Sequence, residues 1–187
     1  MNSQLFPVPR NEKERLKALY QYDLLDTLSE KEYDFITNMA TQICNTQASL
    51  ITLLDEKRQY VKSSYGFEIK ETPRELSFCN YTILDPDNVN VVPDLRLDDR
   101  YNSNPLVTGD PHAVFYAGAP LVTPEGFVLG SICVLHPESK VLTTEQQDAL
   151  KALALQTITT MELRKKNKDL RFTQQKLKKT NKSLKEL

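Results

Sequence analysis

The sequence contains no tryptophan, only two histidines, and three cysteines that lie 35 and 54 residues apart. An odd number of cysteines at such spacings, without a C-x-x-C pair, excludes the usual patterns of a disulfide framework and of a closed zinc site. We therefore expect Cys44, Cys79 and Cys133 to be reduced thiols in a cytoplasmic protein that binds no metal.

Long apolar segments are also missing. No run approaches the roughly 18 apolar residues of a membrane span, and the start MNSQLFPVPRNEKERL has no apolar core of a secretion signal. The sequence contains no G-x-x-x-x-G-K-[ST], G-x-G-x-x-G, H-E-x-x-H or G-x-S-x-G motif. Phosphate-loop, dinucleotide, zinc-protease and serine-hydrolase functions therefore lack their usual support. We expect no membrane insertion.

Charge is unevenly distributed in a composition that is otherwise typical of globular proteins. The net charge is −1, but residues 162–187 contain ten Lys and Arg against three Asp and Glu. Such a basic tail could attract nucleic acid. The heptad pattern described below explains the same lysines as the solvated face of a coiled coil, so we expect no nucleic-acid partner.

Periodicity predicts a helix, a hairpin, an irregular middle, a second hairpin and a long last helix. The hairpins cover residues 48–66 and 113–137, and the middle between them is rich in Pro, Asp and Asn. A capping box of Ser29 and Glu32 precedes the helix before the first hairpin. A second box, Thr143 and Gln146, predicts the start of the last helix, which contains neither Gly nor Pro through residue 187.

The last helix carries a leucine every seven residues. Leu at d with Asn at some a positions is typical of a parallel two-stranded coiled coil, in which Asn fixes the register. The pattern therefore predicts a homodimer. Its predicted interface consists of Leu163, Asn167, Leu170, Gln174, Leu177, Asn181 and Leu184.

The stretch RELSFCNYTI places Cys79 between two aromatic residues. A nucleophilic thiol needs a base, a basic neighbour or a helix N-terminus to lower its pKa. Arg74 is near in sequence and His112 could approach in space, but no companion cysteine lies nearby. Three interpretations stay open: a nucleophile, a pocket-lining thiol, and a small buried side chain.

The order of elements and several stretches resemble the GAF domains of bacterial sensors, which occur upstream of histidine kinases and diguanylate cyclases. The resemblance covers residues 12–163 and rests on ASLITLLDEKRQYVKSSYG, ELSFCNYTI, VVPDLRLDDRYNSNPLV, FYAGAPLVTPEGFVLGSICVLHP and LTTEQQDALKALALQ. It implies an α+β, GAF/PAS-like fold with an antiparallel sheet of about six strands. The terminal helices would cover one face and a pocket the other. The implied division is an extended lead (1–11), a GAF domain (12–163) and a coiled-coil signalling helix (164–187).

The resemblance also implies a function. It predicts a non-enzymatic sensor that binds a small molecule or senses redox state, and that signals through its dimeric last helix to a kinase or cyclase output domain. The homodimer is expected to form through the terminal helices, with helices from both ends of the two chains in the interface. The cofactor, if any, is not identified by the sequence. The implied ligand-binding residues are Phe78, Cys79, Tyr81, Asp94, His112 and Tyr116.

Two alternatives remain beside the sensor. One is a thiol enzyme that uses Cys79, similar to methionine sulfoxide reductases of the same fold. The other is a dimerisation scaffold with a vestigial pocket. Covalent bilin binding is disfavoured, because Asn80 follows Cys79 where bilin-binding relatives usually have histidine.

Overall fold

The structure, a computed structural model, describes residues 6–185, with side chains through residue 183. The elements are α1 (Glu12–Gln21), α2 (Lys31–Cys44), β1 (Ala48–Leu54), β2 (Arg58–Tyr65), β3 (Glu71–Pro73), α3 (Cys79–Thr82), β4 (Asn90–Val92), α4 (Pro105–Thr108), β5 (Phe115–Val122), β6 (Val128–His136) and α5 (Thr144–Lys185). Short 3-10 turns cover Arg74–Leu76 and Leu95–Leu97. This order confirms the two hairpins and the long last helix.

The strands form one antiparallel sheet of six strands in the order β3-β2-β1-β6-β5-β4. β1 lies near the centre and is buried along its whole length. Its residues alternate between the two faces, as the period of a strand requires. Ile51 and Leu53 belong to one apolar core, while Leu50 and Leu54 belong to another. The sheet therefore separates two cores, as the resemblance predicts.

Helices α1, α2 and α5 cover the first face of the sheet. Each contributes an apolar stripe at helical spacing, such as Tyr33, Ile36 and Ala40 of α2. The stripe of α5 consists of Leu150, Ala154, Ile158 and Met161, all buried. The placement of N-terminal and C-terminal helices on one face is thus confirmed.

The irregular middle of the chain covers the second face. α3, α4 and the turn at Leu95–Leu97 lie over the sheet, and their apolar side chains form the second core. That core includes Phe78, Cys79, Ile83, Val92, Leu95, Tyr101, Val107, Tyr116 and Cys133. The candidate site lies within it.

One capping prediction is confirmed. The Gln146 amide N–H donates to the Thr143 hydroxyl at 3.2 Å, and the Thr143 N–H donates to the Gln146 side chain at 3.0 Å. These reciprocal bonds satisfy two donors at the start of α5.

The other capping prediction is wrong. α2 begins at Lys31 after an extended Glu30, and Ser29 does not cap it. The cause is the buried Lys62 ammonium, which donates to the Leu28 carbonyl at 2.6 Å and to the Glu30 carboxylate at 2.8 Å. A buried cation has to be paired, so this tertiary contact fixes the segment before the helix.

α5 has 42 residues, so it extends over roughly 63 Å at the helical rise of ~1.5 Å per residue. Leu163, Leu170 and Leu177 are 60%, 56% and 59% exposed, and no described residue covers this stripe. Leu184 lies in the helix, but its side chain is outside the described residues. Within residues 6–185, no helix combines the length and the apolar character that a membrane span requires.

A close backbone contact joins β1 to β6. A methyl group added at Gly130 would lie 1.9 Å from the carbonyl oxygen of Thr52. Nearby, the register between β5 and β6 shifts between Pro120 and Val122. Extra residues at such a shift bend the strand, and here the bend lies beside the candidate site.

We predict that Gly130→Ala lowers the free energy of unfolding by about 2 kcal/mol, the usual cost of overpacking. Urea denaturation measures it. Gly109→Ala is the control, because its new methyl would lie 3.1 Å from the Pro105 carbonyl in an exposed loop; we expect a cost below about 1 kcal/mol. Equal costs for the two variants would contradict the close contact.

Candidate functional site

The candidate site is a small cavity between α3 and the sheet, on the face opposite the long helices. Its walls include Phe78, Cys79, Tyr116 and Cys133. The cavity measures about 30 Å³, and one water molecule needs roughly 10–15 Å³. In this state the site therefore has room for a molecule of only a few atoms.

Local hydrogen bonds place Cys79 at the first residue of α3. The Cys79 N–H donates to the Ser77 hydroxyl at 3.1 Å, and that hydroxyl donates to the side chain of Gln59 on β2. The next residue, Asn80, is buried and donates to the Arg74 carbonyl at 2.5 Å. The thiol is therefore held on both sides of the helix start.

Hydroxyl groups from three strands converge on the Cys79 sulfur. Ser131 Oγ donates at 3.0 Å, Tyr116 Oη at 3.4 Å and Thr52 Oγ1 at 3.5 Å. Cys133 on β6 lines the same cavity, and the two thiols influence each other's titration. The sulfur is thus surrounded by donors, an arrangement that suits a negative charge.

These donors decide the titration of the thiol pair. Burial raises the pKa of Cys79, but the hydrogen bonds from Cys133, Ser131, Thr52 and Tyr116 outweigh burial and lower that pKa below its ordinary value. The hydrogen bond with Cys79, together with burial, raises the pKa of Cys133 well above the usual range. Cys79 is therefore the member of the pair that ionises first.

Gly118 has no side chain, and this leaves room for the ring of Tyr116. A methyl group at Gly118 would lie 2.2 Å from the Tyr116 hydroxyl oxygen, so the ring occupies the space above this glycine. The hydroxyl also lies 2.7 Å from Thr82 Oγ1. The Phe78 ring meets Tyr116 edge-on at 5.6 Å between centroids. These contacts fix the hydroxyl that reaches Cys79.

The structure places the six predicted ligand-binding residues in different surroundings. Phe78, Cys79 and Tyr116 line the cavity together. The other three do not line it. Tyr81 contacts the edge of Tyr101 at 5.3 Å, Asp94 caps the turn at Leu95–Leu97, and His112 is exposed in a left-handed conformation with φ 55°.

Sequence reasoning missed Thr52, Ser131 and Cys133 as neighbours of Cys79. Cys133 is far away in sequence, and no local motif connects the two cysteines. The sequence nevertheless contained a clue, because Thr52 and Ser131 are polar residues within otherwise apolar strands. Cys133 is two residues after Ser131, so the two side chains lie on the same face of the sheet. Among residues 6–185, no three His, Cys, Asp or Glu side chains gather as a metal site would require.

A buried network of charges adjoins the site. The Glu12 carboxylate accepts from Arg15 Nε at 2.7 Å and from Arg74 Nη1 at 2.5 Å. Both guanidinium groups are almost fully buried. Arg74 Nε also donates to the Asn80 side chain at 3.2 Å, directly beside Cys79. The network therefore joins α1 to α3.

Backbone carbonyls add partners to both cations, while the buried Arg74 Nη2 has no hydrogen-bond partner within the described part of the chain. Arg15 donates to the carbonyl of Leu54 at 2.8 Å, and Arg74 donates to that of Asp55 at 2.8 Å. Burial raises the pKa of Glu12, but hydrogen bonds and charge from Arg15 and Arg74 outweigh it and lower that pKa. Because one carboxylate serves two buried cations, its removal leaves both underpaired.

Comparison with known proteins assigns the chain to a family. The sequence model of the GAF domain family matches residues 30–160 of this chain. This chain belongs to the GAF family. The expectation drawn from the sequence motifs is thereby confirmed.

Solved structures have the same fold at low sequence identity. The GAF domain of a phosphoenolpyruvate-protein phosphotransferase from Acinetobacter matches with a TM-score of 0.60 and 14% identity, over 83% of this chain and 95% of that one. A domain of a two-component sensor histidine kinase protein from Sinorhizobium meliloti 1021 matches with a TM-score of 0.57 and 14% identity, over 76% and 97%. Similarity at this level establishes the GAF fold alone.

A curated relative is nearer in sequence. It is named a cyclic di-GMP phosphodiesterase, from Pseudomonas aeruginosa, and it is 40% identical to this GAF chain over 144 residues. The match covers 77% of this chain but only 24% of that protein. The expectation that the protein is not an enzyme is contradicted by this relative, which is named for an enzymatic activity.

We predict that Ser131→Ala raises the pKa of Cys79 by about one unit, because a hydrogen bond to a charged group contributes about 1.5 kcal/mol. Alkylation of the Cys79 peptide against pH, followed by mass spectrometry, measures it. Ser49→Ala is the control: Ser49 is a buried serine of β1 that donates to the Thr37 carbonyl. A Cys79 pKa that is unchanged in Ser131→Ala would refute the role of this donor.

We also predict that Glu12→Gln lowers the free energy of unfolding by about 3 kcal/mol at neutral pH, since it leaves buried cations underpaired. The folded-state pKa of Glu12 is depressed, so its contribution is present above the unfolded value near 4.5 and is lost as pH falls. The difference in the free energy of unfolding between wild type and Glu12→Gln should therefore become smaller as the pH falls.

Urea denaturation at neutral and acid pH measures that gap. Glu14→Gln on the exposed side of the same helix is the control, for which we expect a change within about 0.5 kcal/mol. A gap that stays constant as pH falls would show that the Glu12 charge does not stabilise the fold.

Proposed function

We propose that this GAF domain is the sensory input unit of a signalling protein, in which a change at the Cys79 site alters how α5 pairs with a second copy. The observation that supports this proposal is a path from Cys79 to α5 that combines side-chain contacts with the rigid helix α1. Packed groups shift together, so movement at one end of the path would displace the next group.

The first half of the series runs from the site to α1. Asn80 follows Cys79 and exchanges hydrogen bonds with Arg74, at 3.2 Å and 2.5 Å. Arg74 in turn binds Glu12 in the first turn of α1. A shift of α3 relative to the sheet would therefore move a charged group that holds the N-terminus of α1.

The second half runs from the other end of α1 to α5. The Tyr22 hydroxyl donates to the Glu162 carboxylate, and Arg164 donates to the Asp23 carbonyl at 3.1 Å. Lys168 pairs with the Asp23 carboxylate as well. The residues that directly follow α1 thus contact α5 at the point where α5 leaves the domain.

The outer part of α5 supplies the proposed readout. Leu163, Leu170 and Leu177 form an exposed stripe, with Asn167 and Asn181 at intervening heptad positions. Pairing of two such stripes in a parallel dimer would bury the leucines and fix their register. Ligand or redox control requires that the two states of the site favour different arrangements of this pair.

The relative from Pseudomonas aeruginosa suggests where such a unit would act. Because that protein is named a cyclic di-GMP phosphodiesterase, we infer that the present GAF domain serves cyclic-di-nucleotide signalling. Two-component signalling is the second candidate, supported by the fold shared with a sensor histidine kinase domain. In either case α5 would connect the sensor to an output domain or partner.

We predict that Leu170→Asp combined with Leu177→Asp abolishes self-association, because the acids would face each other across the pair. Sedimentation equilibrium measures the oligomeric state. Gln175→Asp, at an outward heptad position of the same helix, is the control and should leave the dimer intact. A wild-type chain that stays monomeric at high concentration would contradict the dimer.

A further inference from the structure

Two of the three thiols share one environment. Cys79 and Cys133 are both 2% exposed and line the same cavity. Cys44 is buried in the other core, beneath the helices. Burial raises the pKa of Cys44 to about 11, so it stays protonated. The chain thus contains one dithiol site and one isolated thiol.

We propose that Cys79 and Cys133 form a reversible dithiol sensor that hydrogen peroxide oxidises to a disulfide. This inference rests on the proposed function, since it names the signal that the same site would detect. Three observations support it: the cavity that both cysteines line, the hydroxyl donors around Cys79, and the size of that cavity.

The reaction balances with peroxide as the only oxidant. The Cys79 thiolate attacks one peroxide oxygen, the O–O bond breaks, and a sulfenic acid forms at Cys79 while hydroxide leaves. The Cys133 sulfur then attacks the sulfenic sulfur, an S–S bond forms, and the hydroxyl group departs. The protons of the two thiols end on the two departing oxygens as water. Each sulfur loses one electron, and peroxide is reduced to two waters.

The donors favour Cys79 as the attacking group. The thiolate, not the thiol, is the nucleophile, and Ser131, Thr52 and Tyr116 all donate to the Cys79 sulfur. Cys133 has no comparable set of hydroxyl donors among the described residues. Its raised pKa keeps it protonated until the resolving step, in which its proton passes to the departing hydroxyl group. The two cysteines therefore have different roles.

The cavity selects the class of oxidant. At about 30 Å³ it has room for the two oxygen atoms of hydrogen peroxide, since one water molecule needs roughly 10–15 Å³, whereas methionine sulfoxide or glutathione disulfide would need the walls to move apart. A neighbouring cavity of about 80 Å³ shares four wall residues with it: Phe67, Pro111, Ala113 and Leu135. This second cavity is bordered by the exposed residues Gly66 and Pro137, so it offers a small oxidant a route inward.

Disulfide formation would change the position of α3. The S–S bond of about 2.05 Å is much shorter than any hydrogen-bonded contact between two sulfurs. Cys133 lies in the sheet between β1 and β5, whereas Cys79 begins a helix of four residues. The short helix is therefore the element that moves, and Asn80 moves with it.

The test exposes the reduced full chain to hydrogen peroxide, blocks the remaining thiols, digests the protein and maps the peptides by mass spectrometry. We expect a cross-linked peptide that joins Cys79 to Cys133, and a free Cys44. Loss of the free Cys79 thiol should be about tenfold faster than loss of the Cys44 thiol, because reactivity follows thiolate content. A Cys79 that keeps its free thiol in excess peroxide would overturn the proposal.

Three variants assign the roles. Cys133→Ser should stop the reaction at the sulfenic acid of Cys79, which dimedone traps. Cys79→Ser should leave Cys133 reduced, and Cys44→Ser should give the same cross-link as wild type. Circular dichroism verifies that each variant folds. Equal oxidation of Cys133 with and without Cys79 would contradict the assigned order.

The chemical readout separates this inference from the proposed function. A disulfide that forms without any change in self-association would support the peroxide site and refute the transmission to α5. A domain whose pairing responds to another ligand, but whose Cys79 and Cys133 never cross-link, would retain the sensory function and refute the peroxide site.

Discussion

The placement of the Glu12 carboxylate between Arg15 and Arg74 is the constraint on which the arrangement of this domain depends. Both guanidinium groups are almost fully buried, and one carboxylate contacts both of them. A buried charge without a partner is strongly destabilising. The start of α1 therefore has to lie where β1, β6 and the segment before α3 meet, and this position brings the helix layer into contact with the cavity side of the sheet.

That contact connects the small cavity around Cys79 to the helices on the other face of the sheet. A GAF cavity of about 30 Å³ is too small for a large ligand in its present state, whereas a change in the bonding of Cys79 needs no added space. In the proposed function, the contacts from Asn80 to Arg74, and from Arg74 to Glu12, would carry such a change to α1. Coupling of this kind requires a two-state element, and the exposed leucine stripe of α5 is the candidate.

Much of the fold could be predicted from the sequence, because the strands alternate clearly and Thr143 with Gln146 caps α5 through local contacts. The same reasoning failed at Ser29, where the buried Lys62 ammonium from β2 determines the backbone instead. The candidate site likewise contains one part that local sequence predicts and one part that it does not. Cys79 stands out in its own stretch of sequence, whereas Cys133, Ser131 and Thr52 reach it only through strand pairing and the register shift near Gly130.

We propose that the state of the Cys79 site governs the pairing of α5. Sedimentation equilibrium of the full chain, fully reduced and then oxidised at Cys79 and Cys133, measures this coupling. We expect dimer dissociation constants that differ by about fivefold or more, the usual lower range of coupling between two sites. Identical dissociation constants in the two redox states would contradict it.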